Sequence, residues 1–310
     1  MAEQATPLAN FLDKTEMGLG AWSWGDRMMW QYGQGYDDKD IAEAFQTSLA
    51  AGVNLVDTAE VYGSGRSENL LGSFIKEYGQ PVVVATKFFP IPYRLTKNSV
   101  VRALKGSLAR LHLDSVDLYQ LHWPSPLVPI ETYAEGLALA VQAGLTKNVG
   151  VSNYNIEQME RASKVLSKHG IPLTSNQVEY HLLDRRVERN GLLDYCKKEG
   201  IRLIAYSPLA KGLLTGKYTT ETPPPGARGR RYAAILTELP ALIALMTEIG
   251  SGHAGKTPGQ VALNWVICKG GLPIPGAKTG AQAQLNLAAL GWRLTPEEVK
   301  ALDDASDKIT

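Results

Sequence analysis

The chain has 310 residues, 44% of them hydrophobic, which is enough for one large core or two ordinary ones. Its 32 Lys and Arg nearly cancel its 31 Asp and Glu, so no broad basic face argues for nucleic acid or an anionic membrane as partner. The two cysteines, Cys196 and Cys268, stand far apart with no ligand pattern around them, which argues against a disulfide framework or a zinc site and for a reducing compartment.

In chain order, the start Met1-Ala-Glu-Gln-Ala-Thr6 lacks the basic and apolar regions of a signal sequence. No stretch reads as the roughly 18 apolar residues that span a bilayer. Short β-branched runs then alternate with longer helical patterns. Met17 to Gly20 reads as a strand, and Asp37-Asp-Lys-Asp40 opens a helix that Gly52 closes. Asn54 to Asp57 and Val82 to Thr86 are the next strands, with Gly63-Ser-Gly65 a tight turn before a helix containing Glu68 and Leu71. Val116 to Leu121, Val149 to Val151, Ser175 to Val178, Arg202 to Ala205 and Pro273 to Pro275 bring the strands to eight, while Gly144 and Gly200 close two helices among them. Tyr218 to Tyr232, with Pro223-Pro-Pro-Gly226 and Arg228-Gly-Arg-Arg231, reads as a long loop without structure of its own. Glu238 to Ile249 reads as an extra helix, Thr257-Pro258 opens another, and Thr295-Pro-Glu-Glu298 caps a last one.

Eight βα units in a chain of this length match an α/β fold of the (β/α)₈ TIM-barrel type, with residues 1 to 310 as a single domain. The competing fold is a doubly wound nucleotide-binding sheet. Gly18-Leu-Gly20 follows a strand, but Ala-Trp-Ser-Trp-Gly comes next where a helix should start, and no acidic residue ends a second strand at the required distance.

Four polar residues fall at or just after strand ends, where a parallel barrel gathers them at one mouth: Asp57, Tyr62, Lys87 and His122. A tyrosine phenol, with a pKa of about 10, is protonated at neutral pH and can give its proton to a carbonyl oxygen that gains charge. An ammonium from Lys87 would lower that pKa, Asp57 could hold the ammonium, and His122 could orient the substrate oxygen by a hydrogen bond. Singly each residue has an ordinary structural use; together, on successive strands, they polarise a carbonyl. The chain shows no metal-ligand cluster and no Gly-x-Ser-x-Gly elbow, which speaks against metal hydrolysis and acyl transfer.

Seven segments, in order along nearly the whole chain, resemble the aldo-keto reductases: Asp57-Thr-Ala-Glu-Val-Tyr-Gly63, Ala85-Thr-Lys87, Leu121-His-Trp-Pro124, Gly150-Val-Ser-Asn-Tyr154, Asn176-Gln-Val-Glu-Tyr180, Ala205-Tyr-Ser-Pro-Leu209 and Ile274-Pro-Gly-Ala-Lys278. The resemblance implies a TIM barrel that binds NADP(H) across its mouth and transfers hydride to an aldehyde or ketone. It implies Tyr62 as the acid, supported by Asp57, Lys87 and His122. It also implies Ser152, Asn153 and Gln177 at the nicotinamide carboxamide, Tyr206 stacked on the nicotinamide, and Ser207, Leu209, Lys211 and Gly212 at the pyrophosphate. Lys278 would meet the 2′-phosphate, and Gln282 and Asn286 the adenosine. Leu285 departs from the pattern, since many members carry an acidic residue before that asparagine.

Two other classes are compatible with the fold: a nucleotide-binding regulatory subunit like the potassium-channel β proteins, and a Schiff-base lyase using Lys87. The second sits poorly with Asp57, which would keep Lys87 protonated. Trp22, Trp24, Trp30, Phe88, Phe89, Trp123 and Tyr154, near strand ends, predict an apolar, aromatic-lined pocket for a small-molecule carbonyl. A monomer is expected, with oligomers open. The expected location is the cytoplasm, or the plastid stroma if a transit segment has been removed.

Overall fold

Eight parallel strands pair in chain order in the computed structural model, which describes residues 11 to 309. The segment read above for a signal sequence lies outside these residues. The strands are β1 (Leu19–Gly20), β2 (Leu55–Asp57), β3 (Val83–Phe88), β4 (Val116–Leu121), β5 (Thr146–Ser152), β6 (Leu173–Glu179), β7 (Arg202–Tyr206) and β8 (Leu272–Pro273). The barrel closes where β8 meets β1: Pro273 and Pro275 accept from Gly18 N and Gly20 N, both at 3.0 Å. Between those prolines, Ile274 N donates the other way, to Ala205 O of β7 at 3.1 Å. A proline has no N–H but keeps its carbonyl, so alternating prolines serve a strand that accepts on one side and donates on the other. The same prolines shorten the regular pairing, which places β8 one residue earlier than its expected start at Pro273 and ends it two residues before Pro275.

The helices wrapping the barrel are α1 (Asp38–Ala50), α2 (Arg66–Tyr78), α3 (Lys97–Leu111), α4 (Ile130–Gln142), α5 (Ile156–Ser167), α6 (Arg186–Arg189), α7 (Leu192–Lys198), α8 (Ala227–Gly252), α9 (Pro258–Cys268), α10 (Gly280–Leu287) and α11 (Pro296–Ser306). Capping boxes start four of them, Asp37 with Asp40, Asn155 with Gln158, Thr257 with Gln260 and Thr295 with Glu298. Each satisfies N-terminal N–H groups that the helix itself cannot.

Two expectations change. The loop read as Tyr218 to Tyr232 ends at Gly226, whose positive φ of 67° sets the turn, and α8 runs from Ala227 through the whole of the expected Glu238 to Ile249 helix. The breakers stop at Gly226, and the alanines, leucines and arginines that follow favour helix. In α8, Gly229–Gly252 has the length and a mean hydropathy of 1.5 that a membrane span requires, which corrects the expectation that no stretch does. Its Leu236, Leu239, Leu242 and Met246 are buried at helical spacing in the main core.

Inside the barrel, alternation along the strands stacks one layer on another. Leu55, Ala85, Leu118, Ile204, Leu272 and Ile274 make an apolar layer with Leu12 from the N-terminal approach. Two residues further along β2, β3 and β4, on the same face, stand Asp57, Lys87 and Gln120. The mouth is therefore polar because the strand period puts it there.

Candidate active site

The centre of the polar layer is Lys87, fully buried, whose Nζ donates to Asp57 Oδ1, to Thr58 O at 2.7 Å and to Tyr62 OH at 3.3 Å. Tyr62 comes from the turn after β2, and Gly63 lets the β1–α1 loop close over it: a Cβ at Gly63 would lie 2.7 Å from Gly25 O. Burial drags the Lys87 ammonium downward, but the Asp57 carboxylate and Tyr62 outweigh it and its pKa rises. The Tyr62 phenol is pushed up, because burial together with Asp57 exceeds the lowering by Lys87. The expectation that Lys87 lowers Tyr62 thus holds for that one interaction and is corrected for the net direction. Burial of the phenol disfavours the phenolate by more than one cation at this distance restores.

His122 follows β4, its ring 5.7 Å from that of Tyr62 and 5.5 Å from that of Phe89, edge to face in both cases. Burial and the Lys87 charge push its pKa down to about 3, so the imidazole is neutral at any ordinary pH. Its Nδ1 is buried without a hydrogen-bond partner.

These groups open into a cleft of about 950 Å³ that runs across the mouth to β8 and α10. It contains Tyr62, His122 and Asp57 at one end, Ser152, Asn153, Gln177, Tyr206, Ser207, Leu209, Lys211 and Gly212 along its length, and Lys278, Gln282 and Asn286 at the other. All the expected cofactor residues therefore share one cleft with Asp57, Tyr62 and His122, while Lys87 lies fully buried behind it. Several are mutually tied: Ser152 Oγ donates to Gln177 O at 2.8 Å, Asn153 Nδ2 to His122 O at 3.1 Å, and Tyr206 OH to Asn153 Oδ1 at 3.1 Å. Lys211 pairs with Glu179 at 3.4 Å. Ser207, Ala210, Lys211 and Gly212 have positive φ, so the chain after β7 makes a tight lip along the cleft. Lys278 Nζ donates to Trp30 O at 3.0 Å and sits 4.3 Å from the Tyr36 ring centroid. Gln282 and Asn286 bond to Lys278 N at 3.0 Å and to Gly276 O at 3.2 Å.

A family model described as "Aldo/keto reductase family" matches residues 16–307. The chain belongs to the aldo/keto reductase family. It is 42% identical over 95% of its length to 84% of the chloroplastic pyridoxal reductase of Arabidopsis thaliana. Among solved structures it matches a glycerol dehydrogenase from Gluconobacter oxydans with a TM-score of 0.80 and 29% identity, covering 95% of this chain and 92% of that one. A Klebsiella pneumoniae aldo-keto reductase in complex with NADPH matches with a TM-score of 0.74 and 30% identity, covering 93% and 90%.

The aromatic wall expected of such a reductase is only partly there. Trp22, Trp30 and Trp123 line the cleft, and Trp22 lies 5.4 Å from Trp30 and 6.3 Å from Tyr62. Trp24, Phe88 and Tyr154 are instead buried in the core, Trp24 against Phe45 and Phe74, and Phe88 against Tyr133. They point to the helix side of the barrel, where packing claims them. Residues missed from sequence are Gln120 and Ser175, which face inward below the mouth. Counting back two from His122 and from Gln177 along their strands would have found both.

Proposed function

We propose that this chain is an NADP(H)-dependent carbonyl reductase, a single-domain monomer acting on small aldehydes or ketones, in which Tyr62 is the general acid. The observation that carries the reading is Lys87 Nζ held between Asp57 and Tyr62 OH, 3.3 Å from the phenol, at the floor of the cleft. The residues present suit the cofactor. Ser152, Asn153 and Gln177 offer a hydroxyl and two amides for a carboxamide, Tyr206 a ring for stacking, and Lys211 and Lys278 cations for phosphates. Ser207, Leu209 and Gly212 would shape the lip beside the pyrophosphate, and Gln282 and Asn286 would meet the adenosine. NADPH, when bound, supplies the hydride that reduces the carbonyl carbon.

The protein supplies the proton. Tyr62 OH gives its proton to the carbonyl oxygen, and the Lys87 ammonium stabilises the phenolate left behind. Asp57 keeps that ammonium charged, and the neutral His122 orients the same oxygen. Trp22, Trp30 and Trp123 give flat apolar faces to an aromatic aldehyde. The similarity to a chloroplastic pyridoxal reductase supports pyridoxal as a first substrate to try and the plastid stroma as a location alongside the cytoplasm.

Tyr62→Phe tests the reading. Its NADPH oxidation with pyridoxal should fall about a hundredfold to ten-thousandfold, while NADPH affinity, followed by tryptophan quenching, barely changes. A variant keeping more than about a tenth of the parent kcat would remove Tyr62 from the role.

A further inference from the structure

Asp57 has two carboxylate oxygens, and only one faces Lys87. The other, Oδ2, accepts from Gln177 Nε2 at 2.8 Å and from Gln120 Nε2 at 3.2 Å. Gln120 is fully buried on β4, and its Oε1 in turn accepts from Ser175 Oγ of β6 at 3.4 Å. The orientation of the Gln120 amide is dictated, because a carboxylate only accepts and must meet the NH₂ end. Gly150 of β5 makes room for the arrangement, since a Cβ there would lie 2.1 Å from Ser175 Oγ and 3.1 Å from Gln120 Cγ.

We propose that Gln120 is a positioning residue for carbonyl reduction, forming with Gln177 an amide clamp that fixes Asp57 so that Lys87 stays charged and beside Tyr62. The proposal rests on the reading of Tyr62 as acid. The ionisable groups acting on Asp57 are Lys87 from β3 and Tyr62 after β2; His122 after β4 feels Lys87, and Tyr206 from β7 feels Tyr62. Removing the Gln120 amide leaves Oδ2 with one donor and Asp57 free to turn. Lys87, held by Asp57, then shifts from the phenol. Its lowering influence on Tyr62 shrinks, so Tyr62 becomes a weaker acid that stays protonated to higher pH. Gln177 belongs to the same clamp while lining the cleft, which ties the nicotinamide end of the site to the proton donor.

The test is Gln120→Met, of similar shape without the amide, with pyridoxal as substrate. We expect kcat to fall about tenfold, the alkaline limb of its pH profile to move up by about one unit, and NADPH affinity to stay within about twofold. Ser175→Ala, which frees the far end of the amide, should move the limb the same way by less, and it decides the matter if Gln120→Met does not fold. Tyr62→Phe separates the two failures. An active Tyr62→Phe overturns the catalytic reading itself, whereas an inactive one together with an unmoved limb in Gln120→Met and Ser175→Ala overturns the clamp alone.

Discussion

His122 changes its protonation between the folded and the unfolded chain within the mildly acidic range. Unfolded it titrates at about 6.5, and in the cleft it is held down to about 3 by burial and the Lys87 charge. Between those values the unfolded chain binds a proton that the folded one refuses, so stability rises with pH across this window and is flat above it. The slope approaches about 1.4 kcal/mol per pH unit. The upper part of the window, from about 5 to about 6.5, lies above the range where most carboxylates titrate, so the histidine can be isolated there. Urea unfolding at pH of about 6.5 and about 5 should show the parent losing about 1 to 2 kcal/mol more than His122→Gln. Equal losses in the two proteins would mean that His122 is solvated.

At the level of elements, the segment after β7 is where sequence and structure diverge most, and the reason is local. Proline and glycine mark the end of a loop clearly only on the side where the next element also begins with a recognised cap; α8 is preceded by Gly226, whose lack of a side chain offers no such cap. By contrast α9 and α11 begin at Thr257 and Thr295 with proline next, and both starts were legible. The site was legible where residue type carries the chemistry, as for Tyr62 and Lys87, and illegible where only strand register does, as for Gln120. Trp24 and Tyr154 were misassigned because a ring near a strand end can face either the mouth or the helices. Lys217 and Tyr218 open this segment and line the cleft, and most of the stretch that follows to Gly226 is exposed. Amide exchange across residues 217 to 226 should therefore slow when NADPH is bound. Equal protection with and without saturating NADPH would show that the segment does not cover the cofactor.

For the molecule as a whole, the seam between β8 and β1 joins the two shortest strands of the barrel, two residues each. Gly20 sits on it with Ile274 O 2.7 Å from where a Cβ would stand. Because the obstacle is backbone, relief requires the strands to part. Gly20→Ala should cost about 1 to 3 kcal/mol and lower Tm by a few degrees. It should also weaken NADPH, since Lys278 lies just past that seam. A Tm unchanged within error, read by calorimetry, would mean that the seam yields freely.

The apolar plug under the mouth, with Leu12 wholly buried at its base, has a bearing on timing. Among the described residues, a floor of packed leucine, isoleucine and alanine offers Tyr62 no titratable side chain from beneath. Under the proposed chemistry, each turnover leaves the phenol empty-handed, and the cleft on which it opens among the described residues is the one occupied by product. Recharging the acid is then tied to departure of the alcohol, and the enzyme resets itself once per exit.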